Sequence, residues 1–179
     1  VSKVILEAAG LAVASSAAAL GTQPHKGYIF TRSGDLRQCK WIVHVTGPKQ
    51  PACIKKIVLD VLQACEKQKV SSVTFPALGT GAGGLAASTV ADAILDGLVE
   101  FIKSKSVGSL QTVKVVLFQQ HMLNDFYMSM KKREGTALPE AKSFLTRLTS
   151  EYNMADPERT REGKKHFCYR RFSILEERM

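Results

Sequence analysis

The sequence is poor in the features that mark several protein classes. Only four cysteines occur in 179 residues, Cys39, Cys53, Cys65 and Cys168. They are scattered and form no Cys-x-x-Cys pair, which excludes a disulfide scaffold and leaves no zinc or dithiol motif; reduced, intracellular thiols are the expectation. Long hydrophobic runs are missing as well. The alanine-rich stretch from Leu11 to Leu20 is interrupted by Ser15 and Ser16 and falls short of the ~18 apolar residues a membrane span requires, so no membrane partner is expected. The start of the chain has no basic region followed by an apolar core, the profile of a signal peptide. It opens on Val1 in the middle of a helical pattern, and reads as a piece of something longer. Acidic residues are outnumbered, 16 against 25 Lys and Arg, giving a formal net charge of +9. Such a balance points to an anionic partner. The length fits one domain plus an appendage and excludes a multi-domain enzyme.

Periodicity marks the elements. Helical spacing runs from Ser2 to Ala9 and stops at Gly10, and a second helix is expected up to Leu20, closed by Gly21. Gly27 to Ser33 alternates and is rich in β-formers; Trp41 to Thr46 predicts a second strand ended by Gly47 and Pro48. Pro51 suits a first helical position, and Ile54, Ile57, Val58, Val61, Leu62 and Cys65 then form an apolar stripe to about Gln68. A short buried strand is expected at Ser72 to Phe75, a helix from Ala86 to Lys103, and a last clear strand at Thr112 to Phe118. This order predicts an α/β sandwich with parallel crossovers at its end. Past Met130 the basic run Lys131, Lys132, Arg133 and the breakers Gly135 and Pro139 mark a boundary. Residues 1–130 are read as the domain and 131–179 as a basic linker with the start of another element, including a helix at Ala141 to Tyr152 and a strand at His166 to Ile174.

The chemistry is concentrated between Ser72 and Leu85, S-V-T-F-P-A-L-G-T-G-A-G-G-L: a strand, a bend at Pro76, four glycines within six positions, then a helix. Glycines let successive N–H groups turn into an anion-binding concavity, and the helix start adds unpaired donors and a positive dipole end. No Ser, Thr, Asp or Asn occupies the expected N-cap around Gly84 to Ala86, so those donors are free for a ligand. Phosphate or pyrophosphate is the natural guest. Gly79, Gly81 and Gly84 formally satisfy the dinucleotide-binding G-x-G-x-x-G, but the unit does not open the fold, and Lys103 and Lys105 stand where the acidic ribose partner belongs. A Walker A loop is excluded by Leu85 in place of its Lys.

V-S-K-V-I-L-E-A-A-G at Val1 to Gly10, W-I-V-H-V-T-G-P at Trp41 to Pro48, F-P-A-L-G-T-G-A-G-G at Phe75 to Gly84 and V-V-L-F at Val115 to Phe118 resemble macrodomains, modules that bind ADP-ribose. F-Q-Q-H-M-L-N-D-F-Y at Phe118 to Tyr127 is similar to macrodomains borne by poly(ADP-ribose) polymerases. The resemblance spans residues 1 to 130. It implies an α/β three-layer macrodomain-like sandwich with a mixed central sheet, here N-terminally truncated, without the upstream strand that would lie between Ser72 to Phe75 and Trp41 to Thr46. The expected ligand-binding residues are Val1, Leu78, Gly79, Thr80, Gly81, Ala82, Gly83 and Gly84 around the diphosphate and ribose, with Phe118 against the adenine. Phe118 reads equally well as ordinary core, and His44 as a hydrogen-bonded core histidine.

Hydrolysing members of the family resemble a design with an acidic residue after the first glycine loop and an aromatic in the second; Ser2 and Gly83 occupy those places here. A non-catalytic reader of ADP-ribose and ADP-ribosylated proteins is therefore favoured, with no metal, no catalytic residue and no cofactor, NAD entering only through a parent ADP-ribosyltransferase. The alternatives are an ADP-ribosyl hydrolase, and a nucleic-acid module built on Lys164, Lys165, Arg170 and Arg171 interleaved with Phe167, Tyr169 and Phe172. Nucleus or cytoplasm is the expected location.

Overall fold

A computed structural model describes residues 2–47, 50–104, 108–117, 119–134, 149–151 and 170–175. The chain divides into two units, Val1–Gly47 and Pro48–Met179.

In the first unit, α1 (Ser2–Ala9) and α2 (Leu11–Gly21) precede an antiparallel pair, β1 (Tyr28–Arg32) and β2 (Trp41–Val45). Gly10, at φ 92°, breaks the helical run, a conformation in which a side chain is strained. The turn after β1 locks onto this junction: the Asp35 N–H donates to the Ala9 carbonyl at 3.1 Å, and a Cβ on Gly34 would overlap that same carbonyl. Along β1 and β2, Tyr28, Phe30 and Trp41 form an edge-to-face series with ring centroids 6.0 and 6.4 Å apart, and the Arg32 guanidinium lies 4.1 Å from the Trp41 centroid. Residues of alternate parity face the other way, and there the Thr31 hydroxyl and His44 Nε2 are 2.8 Å apart. Partial burial lowers the His44 pKa, which favours a neutral, hydrogen-bonded ring in a structural role.

The second unit carries α3 (Pro51–Lys67), β3 (Ser72–Pro76), α4 (Ala87–Lys103), β4 (Thr112–Leu117), α5 (Met122–Glu134), β5 (Thr149–Glu151) and β6 (Arg170–Leu175). Its sheet runs β3-β4-β6-β5, with β3 and β4 parallel and the remaining pairs antiparallel, so it is mixed. The pair β1–β2 belongs to a separate sheet. Parallel pairing of β3 with β4 demands a crossover, and α4 supplies it. Pro51 starts α3 at its first turn, where a missing N–H costs nothing. The predicted stripe of α3 is buried in full and packs on α4, where Val90, Ile94, Leu98 and Phe101 are buried as expected. Close approach of the two helices needs Gly97, since a Cβ there would lie 2.9 Å from the Lys55 carbonyl oxygen and 3.1 Å from Val58 Cβ. Glu66, near the end of α3, accepts the N–H groups of Ser109 at 2.6 Å and Leu110 at 2.9 Å, tying α3 to the lead-in of β4. Burial opposes ionisation of Glu66, but these hydrogen bonds outweigh it and hold its pKa below the ordinary value.

Several expectations are corrected. β3 is not a buried strand: Phe75 is buried opposite Val115, whereas Ser72 and Thr74 are exposed, as suits a strand at the end of the sheet order. The run Lys131, Lys132, Arg133 is the last turn of α5, and the boundary placed at residue 130 falls inside that helix. Cations are favoured at a helix C-terminus, and Arg133 has a further role. It is buried, with Nη1 2.7 Å from Asp92 Oδ1 and Nη2 2.7 Å from Asp96 Oδ1 on α4, and Ser129 Oγ donates to Asp92 at 2.5 Å. Thr149–Glu151, read as helix, is strand β5, because pairing with β6 overrides local helical spacing. Of the strand expected at His166 to Ile174, the described part is β6 (Arg170–Leu175), and it finds a partner in β4. Ala141 to Leu148, together with Lys164, Lys165, Phe167 and Tyr169, lie outside the described residues.

Gly97→Leu is expected to lower the unfolding free energy by about 1–3 kcal/mol, the range for overpacking a tight contact, in urea denaturation. The bond from Ser129, followed by Arg133, holds the Asp92 pKa below its ordinary value. A depressed carboxylate pKa stabilises the fold above the unfolded-state pKa and ceases to do so as pH falls through the folded-state pKa. Stability is therefore expected to decline below about pH 4, and Asp92→Asn to flatten that decline, in urea titrations repeated across acid pH.

Candidate functional site

The segment between β3 and α4 is two tight turns strapped together. In the first, Ala77 to Thr80, the Ala77 carbonyl accepts the Thr80 N–H at 3.3 Å and the Thr80 hydroxyl at 2.8 Å. Gly79 takes φ 87° there, the conformation that the third residue of a type II turn needs and that glycine adopts without strain. In the second, the Gly81 carbonyl accepts the Gly84 N–H at 3.0 Å, and the strap is the Leu85 N–H on the Gly79 carbonyl, also at 3.0 Å. Gly84, at φ 64°, turns the chain toward α4.

These bonds engage the N–H groups of Thr80, Gly84 and Leu85 together with three carbonyls of the loop. The carbonyls of Ala77, Gly79 and Gly81 are engaged within the loop. The N–H groups of Gly81, Ala82 and Gly83 have no partner among the described residues. Directly behind them α4 begins at an extended N-cap, Ala86, with no side-chain cap, so its first-turn N–H groups add further free donors. Residues Gly81 to Gly84 are exposed and Leu78 to Thr80 half-buried. Exposed backbone that offers successive free N–H groups beside an uncapped helix start can hold an anion with no charged side chain required; the carbonyls of Leu78, Thr80, Ala82 and Gly83 are likewise not engaged within the loop.

The glycines divide by what they serve. Gly79 and Gly84 are needed for positive φ. Gly83 is needed for close approach, since a Cβ would come within 2.6 Å of the Gly79 carbonyl oxygen. Around Gly81 a Cβ would meet nothing within 4 Å, so the fold gives no reason for glycine at this position.

Of the residues expected at the site, Leu78, Gly79, Thr80, Gly81, Ala82, Gly83 and Gly84 are brought together in this loop. Val1 and Phe118 lie outside the described residues. Sequence reasoning did not single out Ala77, whose carbonyl is the loop's first anchor; the signal available was a hydroxyl residue three positions later, an arrangement that lets a side chain reinforce a turn. Among the described residues no cluster of His, Cys, Asp and Glu could hold a metal ion. Cys65 is buried and its pKa is pushed up to about 11 by that burial, which makes it an inert core thiol.

The pattern of the Macro domain family matches residues 1–94. Human "Protein mono-ADP-ribosyltransferase PARP14" is 43% identical over 150 residues, covering 84% of this chain and 8% of the relative. Among solved structures, the Oceanobacillus iheyensis macrodomain with ADP superimposes with a TM-score of 0.66 at 24% identity, over 75% of this chain and 76% of that one. The Trypanosoma brucei macrodomain in complex with ADP-ribose gives 0.52 at 19% identity, over 56% and 44%. The chain belongs to the Macro domain family and has its α/β fold. It spans 8% of the length of the human relative.

Gly83→Ala is expected to lower the melting temperature by about 3–8 °C and Gly81→Ala by less than about 2 °C, measured side by side by circular dichroism.

Proposed function

We propose that this chain is an ADP-ribose-binding module whose glycine-rich loop holds the diphosphate and whose physiological ligands are ADP-ribosylated proteins. The observation that carries the reading is an exposed glycine-rich loop in which the N–H groups of Gly81, Ala82 and Gly83 are unpartnered among the described residues, with an uncapped helix start directly behind them. A diphosphate spreads its charge over several oxygens, and successive N–H donors match it better than a point charge does. Membership of the Macro domain family and the ADP and ADP-ribose held by the two macrodomain structures support the same ligand class. Ser2 and Gly83 carry neither a carboxylate nor an aromatic ring, which favours a reader over a hydrolase, since neither can act as general base or position a water. The similarity to a mono-ADP-ribosyltransferase supports a place within a larger enzyme of that class, with NAD chemistry performed elsewhere in it.

Gly81→Glu tests the reading. A Cβ at Gly81 meets nothing within 4 Å, and a carboxylate brought beside the diphosphate meets a repulsion of about 4 kcal/mol for unit charges ~4 Å apart near a protein surface. Calorimetric titration of ADP-ribose is expected to show binding to the unaltered chain and at least a tenfold loss in Gly81→Glu. An affinity unchanged by Gly81→Glu, or binding of single-stranded RNA with steep salt dependence and none of ADP-ribose, would overturn it.

A further inference from the structure

We infer that Thr80 is a positioning residue of the diphosphate loop, acting through the Ala77 carbonyl and not by contact with the ligand. The inference rests on the functional reading above, and it assigns to the Thr80 side chain a role different from direct binding. Both donors of Thr80, its N–H at 3.3 Å and its hydroxyl at 2.8 Å, converge on the Ala77 carbonyl oxygen. The backbone bond is at the long end of the accepted range, and the hydroxyl bond is near the optimum for an oxygen donor. The side chain therefore carries most of the closure of the first turn. That turn leads straight into Gly81, whose N–H begins the unpartnered series and whose carbonyl anchors the second turn. A loosened first turn frees Gly79, whose carbonyl also receives the strap from Leu85, so one hydroxyl stabilises the two-turn conformation that carries the free donors. Because a hydroxyl has a single hydrogen and that of Thr80 is given to Ala77, it has none left to donate to a phosphate oxygen.

Thr80→Val keeps the shape and removes the hydroxyl; Thr80→Ser keeps the hydroxyl. ADP-ribose titration of the full 179-residue chain is expected to show a loss of about three- to tenfold in Thr80→Val, the equivalent of one net hydrogen bond, and rescue to within about twofold in Thr80→Ser. The decisive readout is taken without ligand: in Thr80→Val the amide resonances of Gly79, Gly81 and Gly84 shift and their hydrogen exchange quickens, while Thr80→Ser matches the unaltered chain. Unchanged amides in ligand-free Thr80→Val would overturn the inference, whether its affinity falls, as for a direct ligand contact, or holds. Equal affinity of Thr80→Val and the unaltered chain would overturn it too. If the unaltered chain binds no ADP-ribose, the functional reading fails, and the ligand-free amides alone decide whether Thr80 sets the loop.

Discussion

A binding site made of backbone must dispose of its carbonyl oxygens. Every peptide unit that offers a donor to an anion also carries an acceptor that repels it, and a loop of random conformation presents both. Between β3 and α4 the carbonyls of Ala77, Gly79 and Gly81 are taken up by donors from Thr80, Leu85 and Gly84, and the uncapped start of α4 tips the local balance toward free N–H groups. The rest of the second unit serves that arrangement. Parallel pairing of β3 with β4 and the packing of α4 on α3 fix the two ends of the loop, and the short bonds inside it then have little freedom to rearrange.

The helix that closes the loop is held from two sides. Against α3 it lies close because Gly97 leaves room for the Lys55 carbonyl. Against α5 it is tied by Asp92 and Asp96, which share Arg133, and Asp92 also accepts the Ser129 hydroxyl. The two carboxylates remain partly open to water, with side-chain exposures of 41% and 49%. The ion pairs alone are therefore worth little, and the directional value of the cluster comes from a buried guanidinium that has one good place to be. A helix fixed in this way keeps its uncapped N-terminus beside the loop, where its dipole reinforces the free N–H groups.

Much of this was legible in the residues. The spacing of Ile54, Ile57, Val58, Val61, Leu62 and Cys65, with Pro51 ahead of it, located α3 to within a residue or two of its observed ends, because a buried helix face writes its period into the sequence. The glycine loop and the absence of a capping residue before α4 were likewise visible, since both are local. What local pattern could not convey was pairing across long separations. Thr149–Glu151 is a strand because β6 lies alongside it, and Lys131 to Arg133 end a helix because carboxylates 37 and 41 residues earlier receive Arg133. The partition of the four glycines into those required by φ, by close approach and by neither also needed coordinates, for all four are the same letter in the sequence.

The ring series on β1 and β2 has a practical corollary. Trp41 is the chain's single tryptophan, and it sits in the first unit beneath the Arg32 guanidinium and beside Phe30, whereas the glycine-rich loop belongs to the second. Indole emission thus follows the integrity of Val1–Gly47, while far-ultraviolet dichroism, dominated by the long helices α3 and α4, follows Pro48–Met179. The molecule carries its own pair of spectroscopic probes, one per unit. Whether their denaturation curves superimpose is a direct measure of cooperativity between the two halves of the chain.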